Sequence, residues 1–132
     1  MFLDRLKKKE KVAFLELAHH MARSDNDFSE SQKSIIAKYC MEMQIDDIKY
    51  NKNNFNLKKV LSKFKSKSSQ KIALLEIVAL VYSDNILHSE EKRVLDLMIK
   101  NFRLKKSLVV IYSQWSKSIL ALYAQGQALI DL

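Results

Sequence analysis

The sequence is nearly devoid of the residues that form tight turns. Its 132 residues include one Gly and no Pro. Because sheet proteins rely on Gly and Pro in their turns, this shortage, beside many Leu, Ile, Lys and Ser residues, predicts helices joined by short polar corners. Phosphate-binding loops, dinucleotide fingerprints and the serine-hydrolase elbow each need several glycines. We therefore predict an all-α protein without enzymatic activity.

Cysteine and long apolar runs are also scarce. Cys40 is the only cysteine, so neither an internal disulfide nor a four-cysteine metal site can form. No stretch approaches the ~18 uninterrupted apolar residues of a membrane span, and no apolar stretch of signal-peptide length follows the basic N-terminus. These features predict a cytoplasmic protein without a transmembrane segment. The length fits one domain, residues 1–132, with a single core.

Positive charge is concentrated in the middle of the chain. Residues 46–71 contain eight Lys and two Asp, whereas 1–45 and 72–132 each carry a net charge of only +1. Such an excess indicates either a solvated lysine face or a site for nucleic acid, an anionic surface or an acidic protein. Arginine, which reads nucleic-acid bases, contributes nothing to the excess, so specific nucleic-acid binding is not expected. The candidate contact residues are Lys58, Lys59, Lys63, Lys65 and Lys67.

Apolar residues recur at helical spacing in about six segments. Ser29 and Gln32 have the spacing of a capping box, Asn56 can cap a short helix, and Ser68 or Ser69 can cap the next one. The predicted helices are Asp4–Arg23, a second from Ser29, Asn56–Lys65, Lys71–Asp84, a fifth from His88 or Ser89 to Phe102, and Ser107–Gln125. As an alternative, the tail "GQALIDL" continues the last helix past Gly126.

The fourth predicted helix, Lys71–Asp84, is apolar on every side except at Glu76. A helix that is apolar all round is buried all round, so we expect the other helices to pack around it. Glu76 then lies either at an exposed end of the helix or beside a lysine. In the last helix we expect the apolar stripe to face the core, although an exposed aromatic residue there would indicate an interface. That stripe comprises Leu108, Ile111, Trp115, Ile119 and Leu122.

The letters Ser-Asp-Asn end two apolar segments, at residues 24–26 and 83–85. Aligning Phe14–Ile45 with Ala73–Leu104 without a gap brings these letters and several apolar positions into register. Asn tolerates the left-handed conformation that ends helices. Two pseudo-repeated helix hairpins, about 14–45 and 73–104, are therefore predicted on either side of a basic connector, 46–71.

The second of these corners, Ser83-Asp84-Asn85-Ile86-Leu87-His88-Ser89-Glu90-Glu91, resembles the motif of the TerB-like superfamily of tellurite-resistance proteins and co-chaperone N-terminal domains. Glu91 stands at the family's Glu position. The first corner has Gln32 there, and both have Asn where the family usually has Gly. The resemblance implies a helical bundle that acts as a small stress-response adaptor with a protein partner and without a catalytic set.

The resemblance also implies that acidic corner residues could hold a divalent cation. Hard carboxylate oxygens suit Ca²⁺ or Mg²⁺, and the candidate ligands are Asp25, Asp27, Asp84 and Glu91. The alternative is that these carboxylates accept hydrogen bonds from nearby backbone amides. The sequence "DNDFSE" lacks the Gly of an EF-hand loop, and His19 and His20, adjacent on one helix, cannot both bind one zinc ion. No other cofactor is expected.

Overall fold

A computed structural model describes residues 1–24, 28–82 and 87–132 of the chain. These residues form a short 3₁₀ turn, Leu3–Arg5, and six α-helices, with no strand among them. The helices are α1 (Lys8–Ala22), α2 (Glu30–Met43), α3 (Leu57–Leu61), α4 (Lys67–Val81), α5 (Ser89–Phe102) and α6 (Ser107–Ile130). The predicted all-α class is confirmed.

Helix α4 is the centre of the bundle. It packs against α1, α5, α6 and the 3₁₀ turn, and eight of its residues are buried, among them Leu74 and Ile77. The predicted central helix is therefore confirmed, although its start is earlier than predicted. Ser66, rather than Ser68 or Ser69, is the N-cap, because its hydroxyl accepts the Ser69 amide while the Ser69 hydroxyl accepts the Ser66 amide.

The first predicted helix is divided near its N-terminus. Leu3 and Leu6 are buried, but the backbone of Leu6 and Lys7 is extended, so α1 begins only at Lys8. Glu10 Oε1 accepts the Lys7 amide at 2.8 Å, which satisfies one of the free donors at the start of α1. Residues 1–7 thus form a separate strap across α2 and α4.

Equivalent ends of α2 and α5 show the same backbone geometry. Gln44 and Arg103, with φ of 56° and 55°, adopt the left-handed conformation that ends each helix. They are separated by fifty-nine positions, the offset that aligns the two predicted repeats. Each is followed by an apolar residue whose amide bonds back into the helix, Ile45 to the Cys40 carbonyl and Leu104 to the Ile99 carbonyl.

The starts of α2 and α5 also match at this offset. Gln32 Oε1 accepts the Ser29 amide at 2.9 Å, as predicted for a capping box, and Glu91 Oε1 accepts the His88 amide at 2.9 Å. The left-handed residues predicted at Asn26 and Asn85 lie outside the described ranges. In the described ranges, α2 and α5 therefore have matching hydrogen bonds at their starts and matching left-handed residues at their ends.

Helix α6 is the element that departs most from prediction. It extends to Ile130, so of the two predicted ends it has the longer one, past Gly126. The predicted inward stripe is only partly covered, because Ile111 and Leu122 are exposed, whereas the buried α6 residues are Ser113 and Ser116. None of the helices in the described ranges is long and apolar enough to cross a membrane.

Candidate functional site

A polar cleft of about 820 Å³ lies between the connector, the end of α1 and the start of α5. Its described lining combines basic, aromatic and acidic side chains: His20, Arg23, Ser24, Phe28, Lys49, Tyr50, Asn51, Lys52 and Glu90. We call it the histidine cleft. The first corner predicted to bind a cation adjoins the cleft in sequence, since the lining residues Ser24 and Phe28 flank 25–27.

His20 is the buried centre of a hydrogen-bonded chain in this cleft. Its Nδ1 lies 2.7 Å from the Tyr50 hydroxyl and its Nε2 lies 2.7 Å from Glu90 Oε2. Glu90 also accepts two hydrogen bonds from the Arg93 guanidinium, at 2.7 and 2.8 Å. Since an ionised carboxylate only accepts, His20 Nε2 donates to Glu90. With the ring proton on Nε2, His20 Nδ1 accepts a hydrogen bond from the Tyr50 hydroxyl.

Charge complementarity stabilises the ionised form of Glu90. The Arg93 hydrogen bonds lower the pKa of Glu90 from 4.5 to about 2, with burial opposing them and His20 assisting. Burial is the main cause that raises the pKa of Tyr50. Both groups therefore keep their ordinary charges at neutral pH, Glu90 as a carboxylate and Tyr50 as a phenol.

Aromatic stacking orders the walls of the histidine cleft. The His20 ring stacks on Phe55 with 4.1 Å between centroids, and the Arg23 guanidinium lies 4.0 Å from the centre of the Phe28 ring. His19 is buried beside His20, and its Nε2 lies 2.8 Å from Asp47 Oδ1. The two histidines thus have different partners, in agreement with their predicted divergence.

The described polar groups beside His20 are already engaged. Both of its ring nitrogens have partners, and the Ser24 hydroxyl donates to the Met21 carbonyl at 2.9 Å. The chain Tyr50–His20–Glu90–Arg93 therefore ties the connector to α1 and α5. Sequence reasoning missed it, although two aromatic residues, Tyr50 and Phe55, in the largely polar stretch 46–56 were a signal of anchoring.

The structure bears differently on the four predicted cation ligands. Asp25, Asp27 and Asp84 lie outside the described residues, and the described Glu91 carboxylate accepts the His88 amide at the start of α5. Within 1–24, 28–82 and 87–132, no group of three His, Cys, Asp or Glu residues is arranged to hold a metal ion. Cation binding at the corners stays a prediction.

The lysines predicted as contact residues lie beside further lysines from outside the connector. All five candidate lysines are exposed, and Lys63 and Lys65 face Lys7, Lys8 and Lys9 across a groove of about 600 Å³. We call these last five residues the lysine groove. The turn that separates the strap from α1 brings the two lysine runs together, which the connector sequence alone did not indicate.

Three of the predicted lysines interact with nearby groups, one by a hydrogen bond and two by charge. Lys67 Nζ donates to the Phe102 carbonyl, which fixes that side chain at the end of α5. Burial raises the pKa of Glu16, while the charges of Lys63 and Lys59 oppose that shift. The groove as a whole still carries five ammonium groups near one buried carboxylate, Glu10.

A third surface is apolar and belongs to α6. We define the α6 tail as residues 120–132, in which every residue except Gly126 is exposed. The exposed fractions reach 69% for Leu129, 83% for Ile130 and 99% for Leu132. Trp115, on the same helix, is 37% exposed and packs beside Phe2 with ring centroids 5.9 Å apart.

Comparison with protein-family models, curated proteins and solved structures finds no match for this chain.

Proposed function

We propose that this chain is a non-enzymatic TerB-like interaction module of a stress response, and that α6 is its contact surface. The observation that carries the proposal is that every large apolar residue of the α6 tail is exposed, in one group at 120–123 and a second at 129–132. Isolated apolar residues are ordinary on protein surfaces, but a contiguous apolar patch typically marks an interaction site. The TerB-like part rests on the corner motif and on the matching helix ends at the repeat offset.

The aromatic residues of α6 add to this support. Tyr123 is exposed in the α6 tail, and Trp115 is partly exposed where α6 crosses the strap. Exposed Tyr and Trp side chains are enriched at the centres of interfaces, because they bury large areas with few rotatable bonds. The exposed aromatic that the sequence analysis associated with an interface is therefore present at two positions.

Photo-crosslinking tests the proposal directly. We would replace Tyr123 with a photoreactive phenylalanine analogue in the full chain and irradiate it in native lysate. A matched control carries the analogue at Met41, which is 79% exposed on α2, away from α6. We expect a covalent adduct from position 123 and none from position 41. No adduct from 123, or equal labelling from both positions, would remove α6 as the contact surface.

The lysine groove supports a second candidate, a site for phosphate-bearing polyanions. Its five ammonium groups come from both sides of one groove, so a flexible polyanion could contact all of them together. Lys7→Gln, Lys9→Gln and Lys63→Gln combined should reduce binding to phosphatidylserine vesicles or duplex DNA. The matched control changes three exposed lysines elsewhere, Lys100, Lys105 and Lys106, to Gln.

The salt dependence of binding separates this candidate from nonspecific adsorption. Binding through several phosphate contacts weakens steeply with salt, because counterions are released on binding. We expect the groove variant to bind more weakly and with a smaller salt slope than its equally charged control. Equal binding by the two variants would exclude the groove, and the vesicle and DNA arms would show which polyanion is preferred.

A further inference from the structure

The α6 tail continues the helical stripe that packs α6 onto the bundle. Apolar positions recur at alternating steps of four and three residues, the spacing of a helix seam. The first members, Leu108 and Tyr112, pack against the core, whereas Leu122 and Leu129 are exposed. The seam therefore continues past the end of the surface that it packs against.

The tail has little means of staying helical alone. A helical segment as short as residues 120–130 is marginal in water without packing, and Gly126 lowers its helix propensity further. Asp131 is the only charged residue among 120–132, so no pair of opposite charges supports the helix. An apolar surface from elsewhere is what would hold these residues in a helix.

A matching apolar groove lies next to the point where the tail leaves the bundle. It has a volume of about 240 Å³ and is formed by α2, α4, α6 and the strap. We call it the α6 groove. Its walls include Ile35 and Tyr39 of α2, Ala79 of α4, and Trp115 and Ile119 of α6.

We infer that the tail is covered by a second copy of this chain, with each α6 tail seated in the α6 groove of the other copy. This inference rests on the proposed function and names its partner. The α6 tail and the α6 groove lie next to each other on one molecule, so a single two-fold rotation buries both tails and both grooves. The helical part of the tail, residues 120–130, is about 16 Å long at 1.5 Å per residue, which suffices to span a neighbouring groove.

Charge and area agree with a second copy. The chain carries a net charge of +8, but residues 107–132 contain only Lys117 and Asp131, so copies would not repel each other along α6. Leu120 lines the groove itself, and five further large apolar side chains of the tail are more than half exposed: Leu122, Tyr123, Leu129, Ile130 and Leu132. At on the order of 100 Å² each, they and the covered groove approach the ~800 Å² per partner of a stable interface.

A complementation experiment on the full chain tests the exchange. Leu129→Glu disables the tail as a donor, and Ala79→Glu disables the groove as an acceptor. A dimer of either variant alone has no intact contact. A mixed dimer has one, because the intact tail of the Ala79→Glu chain fits the intact groove of the Leu129→Glu chain. By sedimentation velocity we expect a wild-type dimer of twice 15.4 kDa, monomers of each variant, and a weaker heterodimer on mixing. Ile35→Glu is a second acceptor variant, and Met41→Glu is the matched control that still dimerises.

The outcomes decide between the inference and the proposed function. A wild-type monomer at every concentration, a Leu129→Glu chain that dimerises normally, or no heterodimer on mixing would overturn the exchange. A monomer whose position 123 still crosslinks to a different protein would overturn the second copy and leave the interaction module standing. Absence of any adduct from position 123 would remove the interaction module itself.

Discussion

The amino group of Met1 lies 2.9 Å from Oε2 of Glu76, a side chain buried at the centre of the bundle. Glu42 Oε1 lies 2.9 Å from the same amino group, and its Oε2 accepts the Leu3 amide at 2.8 Å. Glu76 Oε2 also accepts the Phe2 amide. The prediction that Glu76 lies at an exposed end or beside a lysine is therefore wrong, because the strap supplies its positive charge and its donor.

Removing the Glu76 charge should destabilise the fold without changing its shape. Glu76→Gln keeps an acceptor for the Phe2 amide but loses the ion pair, so we expect a loss of about 1–2 kcal/mol at pH 7. Urea unfolding would measure it. Glu30→Gln, at an exposed position on α2, is the control and should change stability by less than ~0.5 kcal/mol.

This loss should depend on pH in a defined direction. Burial lowers the pKa of the Met1 amino group, but hydrogen bonds and charges from Glu76 and Glu42 outweigh it and raise that pKa above 8.0. A raised pKa contributes stability that is complete below pH 8 and is lost as the pH rises through the folded-state pKa. The difference between wild type and Glu76→Gln should therefore shrink in alkaline solution, and a difference that grows there would contradict the assignment.

Glu90→Gln tests the hydrogen-bonded chain of the histidine cleft. Because the pKa of Glu90 is lowered to about 2, its carboxylate contributes stability above pH 4.5 that is lost as the pH falls toward 2. We expect Glu90→Gln to cost about 1–2 kcal/mol near neutral pH, after allowance for solvent screening, and almost nothing near pH 2. Chemical unfolding across this range would show it, and a cost that is constant with pH would refute it.

The left-handed end of α5 predicts a stabilising substitution. Arg103 has φ of 55°, a conformation that costs a residue with a Cβ atom roughly 1 kcal/mol relative to Gly. Arg103→Gly should therefore raise the free energy of unfolding by about 0.5–1 kcal/mol. Lys100→Gly, inside the last turn of α5, should lower it by about 1 kcal/mol. A destabilised Arg103→Gly chain would show that its side chain has an unrecognised role.

The divalent-cation alternative predicts a ligand-dependent melting temperature. An ion at 100-fold its dissociation constant stabilises the folded state by about 2.7 kcal/mol. Thermal melts with Ca²⁺, Mg²⁺, Mn²⁺ and Zn²⁺ should then show a shift that disappears when Asp25 and Asp84 are both changed to Ala. Melts that do not shift with any of the four ions, or a shift that survives the double substitution, would rule out the acidic corners.

Local sequence signals predicted much of the helical framework. The apolar run of α4, the Ser29–Gln32 capping box and the Asn56 cap depend on residues close in the chain, and each is present in the structure. The Ser66 cap was not predicted because several serines occur together. Which of them begins α4 depends on where this helix packs against the bundle.

Long-range juxtapositions could not be predicted from local patterns. The pairing of Met1 with Glu76, and of His20 with Glu90, joins residues seventy or more positions apart. The lysine groove likewise forms only because the strap turns before α1 begins. For α6, the apolar stripe was predicted to face the core, but the bundle is too short to cover its second half.

Hydrogen exchange along α6 tests the central claim, that the α6 tail is covered by a second copy of this chain, most directly. Backbone amides of residues 121–130 should exchange rapidly in dilute protein, because an unpacked tail frays, and should become protected as the concentration rises and the tail is covered. Amides of α4 should be protected throughout and serve as the internal reference. A tail that exchanges rapidly at every concentration, and equally in wild type and Leu129→Glu, would contradict the account.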